Sequence, residues 1–385
     1  MSHLTWINSY SFIGVRLFEL PNLLICLLLI LIWGYKKKVS YNYLLVLALH
    51  CLLPFFLNGV LFSPRYMPDQ FNYLKGIDDI RSGSISLIDA LSDEGNVLQA
   101  SAFLALLPFP SPLTLISVGF YNTFIYIVLF FILYTNKVFT KLSVWFYLLF
   151  PSAALYSALS LRETLIFFFM TLAVIYARKS NVIMTVICLI PLYMIKFQNF
   201  FILTPIVIIY FLFKVSQNGM GPGKAFVISL ISLLGLLLSA PLAIPLINKF
   251  RVALFIEDGG DINDIQLISG ALDFVVQGLS SGVYFLFKPF IWEAQGLLPL
   301  IQSFENTLIL FFLFLITKQA WKNTPDRLAF WLLYLAISMS VYGLVVFNYG
   351  TAVRYRYPFV IIYVLFVCAD CNIQKLFPKK QYGIR

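Results

Sequence analysis

The chain has 385 residues and a formal net charge of +10, yet 61% of its residues are hydrophobic and only 11% are charged. A water-soluble domain of this size carries roughly a quarter charged residues, so the composition excludes a soluble protein. In a lipid-embedded chain the positive excess first reports membrane topology, and it does not imply a nucleic-acid partner.

Apolar runs of about 20 residues, each long enough to cross a bilayer core, recur from end to end. They predict an all-α polytopic membrane protein with about eleven transmembrane helices, at 12–33, 42–62, 112–135, 141–160, 163–178, 182–196, 199–214, 224–247, 303–319, 328–347 and 357–373. The first run has no basic segment before it and no small-residue cleavage site after it, so it reads as a retained helix rather than a signal peptide. Only Lys196-Phe-Gln198-Asn199 separates the sixth from the seventh.

Basic residues orient these spans. Lys36-Lys37-Lys38, Lys137 with Lys141, Arg178-Lys179, Lys214 with Lys224, the Lys318/Lys322/Arg327 group and Lys375/Lys379/Lys380 mark every second connection. Cytoplasmic connections carry such an excess, so the N-terminus is expected outside and the C-terminus inside. The expectation is one transmembrane domain over 1–385 with two long outer loops, 63–111 and 248–302. Apolar positions at helical spacing over 70–91 and 265–287 predict amphipathic helices lying at the membrane surface. No internal repeat or nucleotide-binding glycine loop is present. The five cysteines lie mostly in apolar runs and read as buried free thiols.

On this topology the polar residues that call for explanation converge on the outer face. The first outer loop supplies Arg65, Asp69 and the ring of Tyr73; Arg162-Glu163 opens the fifth helix; Lys196 and Gln198 sit at the turn after the sixth. Lys249 and Arg251 follow the eighth, Phe-Lys288-Pro-Phe-Ile-Trp292-Glu293 precedes the ninth, which opens near Glu305, and Arg354-Tyr355-Arg356 follows the tenth. Ionisable groups at membrane depth are costly and usually face a functional cavity. Guanidinium forks match phosphate oxygens, and a carboxylate among them accepts a proton from an attacking sugar hydroxyl. Asp69, Glu163 and Glu293 are the candidate catalytic carboxylates. Arg65, Arg162, Lys196, Gln198, Arg251, Lys288, Arg354 and Arg356 are the candidate phosphate and substrate ligands, and Tyr73, Trp292 and Tyr355 the candidate sugar-stacking rings.

Plainer readings stand beside these. Arg162 at a helix end also suits snorkelling to headgroups, and Glu163 complements the positive end of its helix dipole. Lys249 and Arg251 suit lipid headgroups, and Asp78-Asp79 suits the solvated face of an amphipathic helix better than a metal site. Histidine occurs only at His3, at the chain terminus, and at His50, inside the second helix. A zinc site or a histidine base is therefore not expected, which leaves a carboxylate base or arginine electrostatics alone.

At Asp69-Gln-Phe-Asn-Tyr73, Pro151…Ser160-Leu-Arg-Glu163, Lys288-Pro-Phe-Ile-Trp-Glu293 and Arg354-Tyr-Arg-Tyr-Pro358, the chain resembles the Wzy-type polysaccharide polymerases, including EpsG-like membrane proteins. The early outer-loop aspartate followed by surface helices is also similar to GT-C glycosyltransferases. The resemblance implies a GT-C-like enzyme of the bacterial cytoplasmic membrane, active on its outer face. Its substrate would be an undecaprenyl-pyrophosphate-linked oligosaccharide of O-antigen, capsule or exopolysaccharide. Asp69 would be the base and Arg162, Arg354 and Arg356 would hold pyrophosphate, with no metal, cofactor or nucleotide sugar. Implied partners are membrane lipids, a chain-length regulator and a flippase. O-antigen ligases, a sister class, use a histidine and a large arginine-rich loop near the C-terminus, and this chain has neither. Two alternatives stand: a GT-C transferase adding one sugar from a polyprenyl-phosphate donor, and a flippase. An odd helix count and the absence of a repeat weigh against the flippase.

Overall fold

The computed structural model describes residues 16–61, 63–212, 221–257, 259–294 and 296–374. Their regular structure is helical, with no strand among the described residues. In chain order the helices are α1 (Leu20–Lys37), α2 (Tyr41–His50), α3 (Leu53–Leu57), α4 (Asp69–Arg81), α5 (Leu87–Ser92), α6 (Asn96–Ala105), α7 (Leu115–Thr135), α8 (Lys141–Leu149) and α9 (Pro151–Tyr156). There follow α10 (Glu163–Arg178), α11 (Val182–Ile195), α12 (Phe197–Leu212), α13 (Pro222–Glu257), α14 (Ala271–Phe287), α15 (Leu297–Asn323), α16 (Pro325–Gly343) and α17 (Tyr349–Asp370). Among the described residues Arg16–Lys37, Leu115–Thr135, Pro299–Asn323 and Gly350–Asp370 are long and apolar enough to cross a membrane.

Each predicted apolar stretch carries helix within its described residues, but several boundaries move. The stretches at 42–62 and 141–160 each break into two helices, where Pro54 and Pro151 open the second piece. Proline fits a first helical turn, whose N–H has no partner to lose. Helix α17 begins eight residues before the expected 357, because the Asn348 side chain caps it by accepting the Gly350 N–H at 2.8 Å. Arg354 and Arg356 therefore stand inside a helix, not in a loop before it. Helix α13 likewise runs on to Glu257, so Lys249 and Arg251 are helical too.

Packing within the expected single domain separates two compact units, one from Met1–Val138 and Tyr147–Thr204, the other from Phe139–Phe146 and Pro205–Arg385. In the first, α7 is the central helix, buried almost all round, as an element apolar on every face must be. Its N-terminus is closed by a capping box of Thr114 and Ser117. The buried Glu19 carboxylate accepts from the hydroxyls of both, at 2.9 and 2.6 Å, where the positive end of the helix dipole favours an anion. In the second unit α17 holds the corresponding central place, with α15 and α16 packed against it.

Between helices in lipid there is little hydrophobic driving force, so close packing and internal hydrogen bonds must hold the bundle. Helices α14 and α16 show how close the backbones come. A Cβ built at Gly343 would lie 2.3 Å from the Ser281 carbonyl oxygen, and one at Gly282 would lie 2.8 Å from Ser340 Cα.

Candidate functional site

The candidate residues divide between the two units. In the first, Asp69 is exposed as the opening residue of α4, while its neighbour Gln70 is fully buried. Gln70 pairs with the Asn58 amide through reciprocal hydrogen bonds of 2.8 and 3.2 Å, and its Oε1 also accepts the Ser160 backbone N–H at 3.2 Å. Ser160 belongs to a buried, non-helical segment linking α9 to α10.

Irregular backbone survives inside a bundle only when its polar groups are answered by protein. Here Asn122 of α7 donates to the carbonyls of Leu159 and Leu161, both at 2.6 Å, and Thr123 donates to that of Ser157 at 3.1 Å. The Ser160 hydroxyl donates to the Leu115 carbonyl. Gly119 lets α7 approach, since a Cβ there would sit 2.5 Å from the Ala158 oxygen.

This break delivers Arg162 and Glu163 to the start of α10. Arg162 Nη1 donates to the Ile195 carbonyl at 3.1 Å, at the end of α11. The next residue, Lys196, is the extended one (φ −153°, ψ 85°) that separates α11 from α12. Arg162, Glu163 and Lys196 are thus brought together at 9%, 2% and 6% exposure. Gln198 follows within the next turn, and its Oε1 and the Arg162 Nε are buried without hydrogen-bond partners. Arg65 is exposed in a short 3-10 turn, with its backbone N–H on Ser63 Oγ. Tyr73 needs correction as a sugar-stacking ring. At 1% exposure it lies in the core between α4 and α6 and has no free face.

In the second unit the segment after α14 is built around an ion pair, Lys288 Nζ to Glu293 Oε1 at 3.0 Å. Glu293 Oε2 also accepts the Phe290 N–H at 3.4 Å, closing a 3-10 turn over Ile291–Glu293. On this turn Trp292 stacks on Phe290 with ring centres 4.8 Å apart and 5° between planes, yet it is 80% exposed. It presents a flat aromatic face beside a half-buried charge pair. Arg354 lies over the ring of Tyr355 at 5.8 Å, and Tyr355 tilts against Tyr342 at 5.3 Å.

Arg356 and Arg251 do not stand in loops as ligands awaiting a phosphate. Arg356 Nη1 donates to the carbonyls of Phe285, Leu286 and Lys288 at 2.9, 2.7 and 2.9 Å, at the end of α14. Arg251 donates to Leu344 O at 2.5 Å and to Gln266 O at 2.8 Å. The same device recurs at Arg16 on Phe55 O, at Arg81 on the carbonyls of Ala105, Leu107, Phe109 and Pro110, and at Arg327 on Asp370 O. Helix C-termini leave carbonyls unpaired, and a cation there also meets the negative end of the dipole. Where water is scarce, arginine supplies the missing donors.

Sequence reasoning missed Gln70, Asn58, Asn122 and Arg81 as organising residues. For Asn122 a signal existed, a lone amide within an otherwise apolar span. Among the described residues no group of three or more His, Cys, Asp and Glu side chains comes together that would hold a metal ion.

A chain whose described residues form helices without strands, with long apolar helices and buried charges at a helix break, is a membrane-embedded protein in class. Compared with known proteins, the chain matches no protein-family model, no curated protein and no solved structure.

Proposed function

We propose that the protein is a glycosyltransferase of the polysaccharide-polymerase type. It would cross the bacterial cytoplasmic membrane about eleven times, in a GT-C-like arrangement with its N-terminus outside. On the outer face it would join lipid-pyrophosphate-linked oligosaccharide units. The observation that carries this reading is the buried Arg162, Glu163 and Lys196 set at a helix break, tied through Ser160 and Gln70 to the exposed Asp69. Buried ionisable groups at interrupted membrane helices are costly and mark binding sites for charged substrates.

In the first unit Asp69 takes the proton of the attacking sugar hydroxyl. The new glycosidic bond forms as the bond from the anomeric carbon to the pyrophosphate oxygen breaks, and the lipid pyrophosphate leaves with the bonding pair. Lys196 and Arg162 offset the charge that builds on that leaving group. Glu163 holds the two cations in place, and Arg162, fixed on Ile195 O, also keeps α11 against α10. In the second unit Trp292 offers an aromatic face to a sugar, Lys288 and Arg354 serve as phosphate ligands, and Arg356 positions the segment.

The test is glycan analysis by gel in a strain lacking the protein, complemented with Asp69→Asn or Arg354→Ala chains shown to be membrane-inserted. The expected result is loss of the chain-length ladder with a single repeat unit retained. A full ladder from both variants overturns the residue assignment. A uniformly smaller unit would instead identify a transferase of one sugar, and unpolymerised units held on the cytoplasmic side would identify a flippase.

A further inference from the structure

Helix α14 falls in what the charge pattern marks as an outer loop, but its surface is not that of a helix in water. One face packs on α16 through Gly278, Gly282 and Phe285, which are buried, at a separation that admits no side chain at Gly282. The opposite stripe carries Leu272, Val276, Leu279, Val283 and Phe287, all between 41% and 75% exposed. Spacings of four, three, four and four residues keep these on one helix face. The helix contains no lysine or arginine, although a helix lying in the headgroup plane typically displays them on its polar side.

Two further observations say what covers this stripe. The terminal carbonyls of α14 take their hydrogen bonds from Arg356 rather than being left to solvent, which is the requirement for a helix end in a water-poor medium. The stripe also adjoins a helix of membrane length. Asn306 of α15 donates to the Phe287 carbonyl, and α15 exposes Ile301, Phe304, Leu308 and Phe311.

We infer that α14 is embedded in the bilayer as a re-entrant helix, its exposed stripe covered by lipid acyl chains. The Lys288–Glu293 turn then follows the end of α14 and leads to the start of α15. An acyl-chain occupant follows from the continuity of the stripe with α15 and from the absence of charge along it.

The test uses nitroxide labels at Leu279→Cys and Val283→Cys in the full chain reconstituted in phosphatidylcholine vesicles. Asp261→Cys serves as the exposed control, and the unlabelled parent, whose five cysteines are all buried, serves as the blank. Collisions with oxygen should dominate at 279 and 283, and collisions with a water-soluble nickel chelate at 261. Dominant chelate collisions at both helix positions would put α14 in water and overturn the inference. Low collisions with both reagents would show a second protein surface on the stripe, which overturns it equally. If either chain fails to insert, Val276→Cys supplies the same reading. Position alone is measured, so the outcome is separate from whether the protein polymerises glycans.

Discussion

Gln70 Oε1 accepts the backbone N–H of Ser160 at 3.2 Å, joining positions 90 residues apart inside the first unit. Through this bond the first helix of the outer segment and the break before α10 become one construction. The exposed Asp69 stands at one end of it and the buried Arg162 and Glu163 at the other. A side-chain acceptor is needed because the backbone at Ser160 is not helical and has no carbonyl of its own turn to use.

Replacing Gln70 by leucine keeps the volume but leaves the Ser160 N–H and the Asn58 amide unanswered. A buried polar group without a partner costs about 1–3 kcal/mol. Gln70→Leu should therefore lower the unfolding midpoint in detergent by several degrees, and by more than Asp69→Asn at its exposed position. Equal midpoints for the two variants would mean that the bond does not hold the segment.

Arg356→Met keeps the aliphatic stem and removes the donors to Phe285, Leu286 and Lys288. Hydrogen bonds to charged groups contribute about 1.5–3 kcal/mol each way they are lost, so the end of α14 should loosen. Hydrogen exchange read by mass spectrometry should show faster exchange over 285–293, and unaltered protection there would refute the capping role.

The α14–α16 contact makes a steric prediction. Gly343→Ala places a methyl against the Ser281 carbonyl, and forcing atoms into a filled contact costs about 1–3 kcal/mol. Gly235→Ala, where nothing lies within 4 Å, should instead be neutral or stabilising, by up to about 1 kcal/mol, because a helical glycine is entropically costly. The two unfolding midpoints should move in opposite directions, or at least only the first should fall.

Two aromatic residues separate stability from function. Trp292→Ala removes an exposed ring and should change stability by no more than about 0.5 kcal/mol, while shortening the glycan ladder. Tyr73→Ala empties a core position, for which a loss of about 3–5 kcal/mol is usual for a large ring, and should reduce the amount of folded protein. A ladder unaffected by Trp292→Ala would remove that ring from the proposed site.

Much of the architecture is legible in the sequence. The apolar run at 112–135 predicted α7 to within three residues at its start, because length and hydropathy act on each segment separately through its solvent. The single non-helical residue between α11 and α12 fell at Lys196, where the apolar run was interrupted. Less legible were the helix starts. The apolar run places the start of the last helix at 357, yet the helix capped by Asn348 begins eight residues earlier and carries Pro358 in its interior.

Arginine roles were the least legible part of the candidate site. Arg162, Arg251 and Arg356 are candidate phosphate ligands in the sequence, the first two with lipid headgroups as the plainer reading, and each is found on helix-terminal carbonyls. Their partners lie 33, 93 and 71 residues away, so no local pattern of charge or spacing reveals them. Tyr73 failed for the same reason, since only the packing of α4 on α6 removes its face from reach.

Composition and periodicity by themselves determined that this chain lives in lipid as helices, and where its ionisable residues fall along it. Those properties follow from the free energy of each segment in its own surroundings. Which of the charges are buried together, and which are spent closing helix ends, was decided only by tertiary structure. A bilayer offers unpaired carbonyls almost no water, so whichever guanidinium the fold brings within reach becomes their donor.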